Sequence, residues 1–198
     1  THCVVTGSGS FGTAMATVLA RKSFHVTMLS RSHEVVEGIR QKHRNPHYLS
    51  DFPLPWNLTA AHQEDAERVF SEADFVIHSV PVQASLEYLR ALSPMIPAHV
   101  PIVSTSKGIH TESLKLMSEI IPEALGRQQP CAFLSGPSFA RELLAGYPTG
   151  LVAASVEEEL ASRVARLFQS DSVRVWTSTD VVGVELAGDL KNPYAIAS

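Results

Sequence analysis

The sequence has few of the features that build metal, nucleic-acid or membrane sites. Its 198 residues include only two cysteines, Cys3 and Cys131, which are far apart and fit no CxxC or Cys/His spacing, so a metal site is not expected. Both lie in apolar runs, which predicts buried thiols in a reducing compartment. The net charge of −4 argues against a nucleic-acid partner, because such proteins present a basic face.

Long hydrophobic runs are also missing. No apolar run approaches the ~18 residues of a membrane-spanning helix, and the first residues do not resemble a signal or transit peptide, so we expect a soluble protein. The sequence has no initiator Met, and its last residue falls within a helical pattern. We therefore expect the chain to be a piece of a longer protein.

Short apolar runs alternate with helical patterns along most of the chain, as in βαβ units. Strands are predicted at 3–7, 25–30, 74–80, 101–105, 131–135, 150–155 and 173–177. Helices are predicted at 12–22, 33–43, 82–92, 111–121, 137–145 and 157–169, with a last helix from 179. A proline-rich stretch at 46–57 is expected to be an ordered surface connection anchored by its apolar side chains. The pattern predicts an α/β fold with a doubly wound, mostly parallel sheet.

A glycine-rich loop follows the first predicted strand and opens the first helix. Gly7, Gly9 and Gly12 fit the pattern G-x-G-x-x-G, which in this context is typical of a Rossmann-type dinucleotide site. Gly7 would make the turn, Gly9 would let a pyrophosphate approach the backbone, and Gly12 would let helix and strand pack closely. The alternative is a glycine turn with a purely structural role.

The end of the second predicted strand carries Arg31 between two serines rather than an acidic residue. Asp or Glu at this place holds the ribose of NAD, whereas a cation and hydroxyl groups suit the additional phosphate of NADP. A solvated arginine is the alternative. We predict NAD or NADP as the cofactor, without a choice between them.

Ligands of doubly wound sheets bind beyond the carboxyl ends of the strands. Pro81 follows one strand in SVPVQ and is predicted to form an apolar wall near the cofactor, or merely to end the strand. Lys107 in STSKGI follows three hydroxyl residues, which suits an anion, or it is a solvated loop residue. In SGPSFARE, Gly136 would permit close approach and the helix start with Ser138 would offer backbone donors to the same crevice; the alternative is a plain helix start.

The last predicted helix places a cation close to an apolar stripe. Val184, Ala187 and Leu190 are three residues apart, and Lys191 and Asn192 follow them directly. If burial and a second nearby cation favour its neutral form, Lys191 is suited to donate or accept a proton. The alternative is a surface lysine that extends from an amphipathic helix into solvent.

Five motifs in this order, GSGSFGTAMA, SVPVQ, STSKGI, LSGPSFARE and GVELAGDLKN, resemble NAD(P)-dependent glycerol-3-phosphate dehydrogenases, and most closely those of plant and algal plastids. The resemblance implies reversible reduction of dihydroxyacetone phosphate to sn-glycerol 3-phosphate with NAD or NADP and without a metal. It implies a Rossmann-like domain at 1–178, and at 179–198 the start of a helix leading into an absent all-helical domain. It further implies a homodimer formed through that domain, in the cytoplasm or the plastid stroma.

The resemblance also assigns roles to single residues. Those matched to cofactor contacts are Ser10, Phe11, Arg31, Lys107 and Ala140. Those matched to substrate contacts are Lys107, Gly136, Ser138, Lys191 and Asn192. The two catalytic residues are then Lys191, which transfers the proton, and Lys107, which touches both cofactor and substrate.

Two residues depart from the family pattern near the proposed proton donor. Pro193 stands where a β-branched residue is usual, and Asp189 stands where small residues are common; both bear on where Lys191 points. Two other functions also fit the motifs. One is a cofactor-binding module without catalysis, and the other is a related two-domain dehydrogenase of a different hydroxy acid.

Overall fold

The computed structural model of the protein describes residues 1–188. Five sequence positions singled out near the end of the chain lie outside the described residues: Asp189, Leu190, Lys191, Asn192 and Pro193.

Within residues 1–188, eight strands form one sheet in the order β3-β2-β1-β4-β5-β6-β7-β8. Their bounds are β1 His2–Thr6, β2 His25–Ser30, β3 Leu58–His62, β4 Phe75–His78, β5 Ile102–Ser104, β6 Cys131–Ser135, β7 Thr149–Ala154 and β8 Val173–Ser178. Neighbouring strands are parallel except for β6 and β7, which are antiparallel. The predicted doubly wound, mostly parallel Rossmann-type sheet is therefore confirmed.

Helices cover both faces of this sheet, as its parallel crossovers require. Their bounds are α1 Ser10–Arg21, α2 His33–Lys42, α3 Ala66–Ser71, α4 Val82–Leu92, α5 Met117–Leu125, α6 Ala140–Ala145 and α7 Glu158–Phe168. A 3-10 turn, Gln63–Asp65, precedes α3, and residues 181–188 are helical. In this described part of the chain, no helix is long and apolar enough to cross a membrane.

The core consists of two apolar clusters, one on each face of the sheet. Alternate residues of β1 contribute to opposite faces, with Cys3 and Val5 in one cluster and Val4 in the other. The first cluster lies under α1, α2, α6 and α7, and the second under α3, α4 and α5 together with Val181. Burial raises the pKa of the thiols of Cys3 and Cys131 to about 12, although Cys131 is only half-buried.

One predicted helix begins later than its sequence pattern indicates. The pattern at 111–121 predicts helix throughout, but α5 starts six residues further on. Leu114 has a φ of +57°, and its N–H donates to the carbonyl of His110 in a tight turn, so the backbone there is not helical. The side chain of Glu119 accepts from the N–H of Leu116 at 3.0 Å and caps the helix at that point.

The prediction of helices and strands from the sequence was also incomplete at β3 and α3 and wrong at the start of α6. The edge strand β3 and the short α3 were not predicted, because their sequences are short and lack a clear period. The predicted helix 137–145 begins only at Ala140, since the N–H of Ser138 turns back to the carbonyl of Gly136 at 2.9 Å.

The connection at 46–57 is only partly anchored by its apolar side chains. Leu54 is buried and Phe52 packs against the core, as expected. Trp56 is 83% exposed, which corrects its expected role as an anchor.

Candidate functional site

A cleft of about 730 Å³ opens beyond the carboxyl ends of β1 and β4. The chain leaves these two adjacent strands in opposite directions along the sheet, toward β2 and toward β5, and this is where doubly wound folds bind ligands. The lining residues come from the glycine loop, from the ends of β2 and β4, from α4 and from two connections: Gly7, Ser8, Gly9, Ser10, Phe11, Leu29, Arg31, Tyr48, Gln63, Ser79, Val80, Pro81, Ala84, Glu87 and Tyr88.

The three glycines of the loop differ in what an added Cβ atom would contact. Gly7 has a φ of +94°, and a Cβ there would lie 2.7 Å from the carbonyl oxygen of Ser79. A Cβ on Gly12 would lie 2.0 Å from the carbonyl oxygen of Gly7, so helix and loop are in direct contact. A Cβ on Gly9 would meet nothing within 4 Å, so this glycine borders open space in the cleft.

This loop fits the pyrophosphate of a dinucleotide. Gly9 is the N-cap of α1, so the first amide groups of that helix, which have no carbonyl partner within the helix, lie at the cleft. The first turn of α1 contains no acidic residue that would compete with a phosphate group for these amides. The predicted contacts Ser10 and Phe11 both line the cleft, whereas Gly12 is buried behind it.

A buried amide fixes the glycine loop from behind. The side-chain NH2 of Asn45 donates to the carbonyl oxygen of Ser8 and to Oγ1 of Thr13, each at 2.9 Å. Its Oδ1 accepts from the N–H groups of His47 at 3.1 Å and Tyr48 at 3.2 Å. Asn45 is fully buried, so it joins the glycine loop rigidly to the connection that carries Tyr48 into the cleft.

Arg31 lies at the outer end of the cleft, where its side chain is exposed. Its carbonyl oxygen accepts from Nε2 of His62 at 3.1 Å, and the ring of His62 stacks on that of His33 at 4.0 Å. Burial raises the pKa of Tyr88, which also lines the cleft, to about 12, and the positive charge of Arg31 opposes that shift. A cation is thus available at the end of the cleft that the second strand borders.

Polar side chains tie the loop after β4 to the loop after β5. Oγ of Ser79 and Oγ1 of Thr105 are 2.7 Å apart, and the hydroxyl of Ser106 donates to the carbonyl of Val80 at 2.6 Å. Pro81 is exposed in the cleft wall and forms the N-cap of α4. Pro81 therefore lies in the wall of the cleft, and the residue before it is held by a hydrogen bond from the neighbouring loop.

Lys107 joins three loops at one point. Its Nζ donates to the carbonyl oxygen of Gly136 at 3.0 Å and lies 5.1 Å from the centre of the Phe11 ring. Gly136 belongs to the loop that follows β6 and Phe11 to the first turn of α1, where the glycine loop opens the helix, while Lys107 itself follows β5. The structure thus brings together three of the sequence-predicted site residues.

Gly136 is required by its surroundings. Its φ is +155°, and a Cβ would lie 2.5 Å from the carbonyl oxygen of Gly150. Ser138 is 4% exposed and lies directly after this turn. Ala140, a predicted cofactor contact, is half-buried against the core at the start of α6 and is not among the residues that line the cleft.

A second, mostly apolar cavity of about 360 Å³ lies beside Gly136. It is lined by Ser135, Gly136, Pro137, Val152, Val184, Ala187 and Gly188. A Cβ on Gly188 would lie 2.3 Å from Oγ of Ser135, so the helical segment 181–188 is in close contact with the end of β6. The predicted Lys191 and Asn192 follow this segment in sequence, outside the described residues.

The family of this chain follows from its similarity to known proteins. Residues 2–161 match the family described as NAD-dependent glycerol-3-phosphate dehydrogenase N-terminus. The chain belongs to this family. The resemblance in the five motifs is therefore confirmed.

Individual members of the glycerol-3-phosphate dehydrogenase family show the same relationship. The chain is 46% identical over 198 residues to "Glycerol-3-phosphate dehydrogenase [NAD(+)], chloroplastic" of Oryza sativa subsp. japonica, covering 98% of this chain and 44% of that protein. It is 41% identical over 196 residues to "Glycerol-3-phosphate dehydrogenase [NAD(P)+]" of Leptospira biflexa serovar Patoc, covering 98% and 58%. The prediction that the cofactor is NAD or NADP agrees with these names.

A solved glycerol-3-phosphate dehydrogenase has the same fold. The crystal structure of the enzyme from Coxiella burnetii superimposes with a TM-score of 0.90 at 33% identity, covering 99% of this chain and 59% of that one. The chain thus spans about half the length of the relatives that it matches.

Several residues at this cleft carry no signal in the sequence. Asn45 lies between the helical pattern at 33–43 and Pro46, and this position gives no sign of the distant loop that it holds. Tyr48, Gln63 and Tyr88 line the cleft from segments that carry no motif. Only the folded arrangement of α4 and the two connections brings them to the glycine loop.

Proposed function

We propose that the protein is the dinucleotide-binding part of a glycerol-3-phosphate dehydrogenase that interconverts dihydroxyacetone phosphate and sn-glycerol 3-phosphate with NAD or NADP. The observation that carries the proposal is the position of Lys107, whose ammonium lies between the glycine loop and the Gly136 loop. A fixed cation at the junction of a cofactor loop and a second ligand-binding loop suits an anionic substrate held next to the cofactor.

In this proposal, the cleft at β1 and β4 holds the cofactor. Gly9, Ser10 and Phe11 take the pyrophosphate at the start of α1, Arg31 contacts the adenosine ribose or its phosphate, and Pro81 forms the apolar wall. When bound, the nicotinamide ring supplies or accepts the hydride at the substrate carbon. The remaining chemistry falls to side chains of the protein.

Lys107, Gly136 and Ser138 form the substrate side of the proposed site. Lys107 supplies a positive charge close to the reacting group, and the loop at Gly136 allows close approach because a side chain is excluded there. As the ketone is reduced, negative charge grows on its oxygen, and a fixed ammonium group stabilises that charge more in the transition state than in the bound ketone. Ala140 is proposed as a more distant cofactor contact.

Lys191 is proposed to donate the proton to this oxygen, with Asn192 beside it. The support comes from the described residues that precede it in sequence. Gly188, three residues earlier in sequence, packs against Ser135 at the end of β6, next to Gly136. Positioned proton transfer of this kind accelerates reactions by about 10²- to 10⁴-fold, so Lys191 would account for a large part of turnover.

The wider organisation forms part of the same proposal. Residues 1–178 would be the cofactor domain, and residues 179–198 would lead into a helical substrate domain through which the enzyme forms a homodimer. The support is that the chain spans only 44% and 58% of the length of two curated relatives. The name "chloroplastic" of the rice relative favours the plastid stroma over the cytoplasm.

The test is turnover by the full-length protein with dihydroxyacetone phosphate and, separately, NADH and NADPH. We expect oxidation of at least one cofactor that depends on the substrate. Binding of cofactor without turnover of any ketone would instead indicate a module without catalysis. Turnover with a different keto acid alone would indicate a related dehydrogenase.

A further inference from the structure

A chain of buried polar side chains runs beneath the wall of the cofactor cleft. Thr6 on β1 lies opposite His78 on β4, and both residues, together with Ser85 on α4, are fully buried. Nδ1 of His78 is 3.0 Å from Oγ1 of Thr6, and its Nε2 is 2.8 Å from Oγ of Ser85. Central positions of a parallel sheet are usually apolar, and a buried polar group is tolerated only when it is hydrogen-bonded.

The direction of each hydrogen bond in this chain follows from its last member. The Ser85 hydroxyl lies 3.0 Å from the carbonyl oxygen of Pro81 and 3.3 Å from that of Val80. Because carbonyl oxygens only accept, Ser85 gives them its single proton, and it therefore accepts from Nε2–H of His78. Nδ1 of His78 then carries no proton and accepts from the hydroxyl of Thr6.

His78 is thereby fixed in one tautomer and one charge state. Burial lowers its pKa to about 3, so the ring is neutral at any physiological pH. Because His78 is 0% exposed, solvent offers its ring no alternative hydrogen-bond partner. The chain is thus a static support rather than a path for protons.

The supported end of the chain is part of the cofactor cleft. Ser79, Val80 and Pro81 form the turn that faces the glycine loop across the cleft, and a Cβ on Gly7 would already touch Ser79. Pro81 has no N–H with which to fix its own position. The N–H and hydroxyl of Ser79 bond to Thr6 and Thr105, and the rest of the turn is held through its carbonyl groups, to which Ser85 and, at Val80, Ser106 donate.

We propose that His78 is a positioning residue for cofactor binding, which acts through Ser85 to hold the turn at Val80 and Pro81 at the distance from the glycine loop that a dinucleotide needs. This inference rests on the proposed function, because it assigns the cleft to NAD or NADP. His78 itself does not touch the cofactor. Its role is to keep the opposite wall of the cleft in place.

The test is the dissociation constant for NADH, measured by fluorescence titration of the full-length protein. His78→Leu removes the donor to Ser85 at similar volume, and we expect binding to weaken about five- to tenfold, as for the loss of one buried hydrogen bond. Ser85→Ala, which deletes one oxygen atom, is expected to weaken NADH binding to a similar extent. The double variant that combines it with His78→Leu is expected to bind NADH no more weakly than either single variant. His78→Gln keeps an N–H at the corresponding position and is expected to restore most of the affinity.

Thr17→Val is the matched control. Thr17 is also fully buried, and its hydroxyl donates to the carbonyl of Thr13 at 2.8 Å within α1, away from this turn. We expect it to lower thermal stability without changing the dissociation constant. In steady-state kinetics, His78→Leu should raise KM for NADH with little change in kcat, because the wall contacts the cofactor equally before and during the reaction.

The inference about His78 is decided by the following outcomes. A dissociation constant unchanged in both His78→Leu and Ser85→Ala, with only thermal stability reduced, would overturn the inference. If His78→Leu does not fold, the smaller Ser85→Ala change decides it alone. If the wild-type protein itself does not bind NADH or NADPH, the proposed function fails first and takes this inference with it.

Discussion

The ammonium of Lys107 donates a hydrogen bond to the carbonyl oxygen of Gly136 over 3.0 Å and so joins the loop after β5 to the loop after β6. The same ammonium lies 5.1 Å from the ring of Phe11 in the glycine loop. A positive charge thus lies where the cofactor and the substrate are proposed to meet. The following predictions test that arrangement and the cleft beside it.

Replacing Lys107 by Met removes this charge and keeps most of the side-chain volume. We expect kcat/KM for dihydroxyacetone phosphate to fall by at least about 10²-fold, as when one stabilising group is removed from a developing negative charge. The control is Lys115→Met, since Lys115 lies in the same loop region but pairs with Glu123 at the surface. Similar activity in both variants would show that Lys107 has no special role.

The glycine loop allows a matched pair of alanine substitutions. In Gly12→Ala the new Cβ would overlap the carbonyl of Gly7 at 2.0 Å, so we expect a loss of about 3 kcal/mol or more in unfolding free energy. In Gly9→Ala the Cβ enters open space, so stability should change by less than about 0.5 kcal/mol.

NADH titration distinguishes the two roles. Gly9→Ala is expected to weaken binding about tenfold or more, because the methyl group occupies the path of the pyrophosphate. Unchanged affinity in a stable Gly9→Ala protein would mean that the phosphates do not lie over this glycine.

Arg31 should distinguish the two cofactors. If its side chain contacts the additional phosphate of NADPH, Arg31→Ala removes a charged hydrogen bond worth ~1.5–3 kcal/mol, and KM for NADPH rises about ten- to hundredfold. KM for NADH should change much less, because NADH lacks that phosphate. Arg68→Ala, an exposed arginine of α3 outside the cleft, is the control. Equal effects on both cofactors would remove Arg31 as a discriminating residue.

The buried ring of His78 predicts how stability depends on pH. Burial lowers its pKa to about 3, whereas in the unfolded chain the ring has its ordinary value of 6.5. Between these values the unfolded state binds one more proton, so the native state loses up to ~1.4 kcal/mol per pH unit as the pH falls below 6.5. His78→Gln removes the titratable ring. The free energy of unfolding of this variant, measured by urea titration, should therefore fall less steeply between pH 7 and pH 4.5. Parallel curves for the two proteins would contradict the assignment.

Much of the fold was predictable because its signals are local. Apolar runs such as CVVT and FVIH at the centre of the sheet are buried on both faces, and the glycine loop has its required place between β1 and α1. The strand β3 was not predicted. An edge strand is hydrogen-bonded to only one neighbouring strand, so its sequence need not be strongly apolar.

The site was predictable only where a motif marks a strand end. Pro81, Lys107 and Gly136 lie within three residues of the ends of β4, β5 and β6, so the topology places them at one edge of the sheet. Asn45 and His78 could not be found in this way. Their roles depend on hydrogen bonds to Ser8 and Ser85, and such contacts between separate elements leave no spacing in the sequence.

The most direct test of the central claim compares the full-length wild-type protein with its Lys191→Ala variant. Both are titrated with NADH and NADPH, and cofactor oxidation with dihydroxyacetone phosphate is then followed. We expect the two proteins to bind cofactor alike and the variant to turn over at least about 10²-fold more slowly, the lower end for proton transfer by a positioned group. A wild-type protein that binds the cofactor but does not reduce dihydroxyacetone phosphate, or a variant as active as the wild type, would contradict the account.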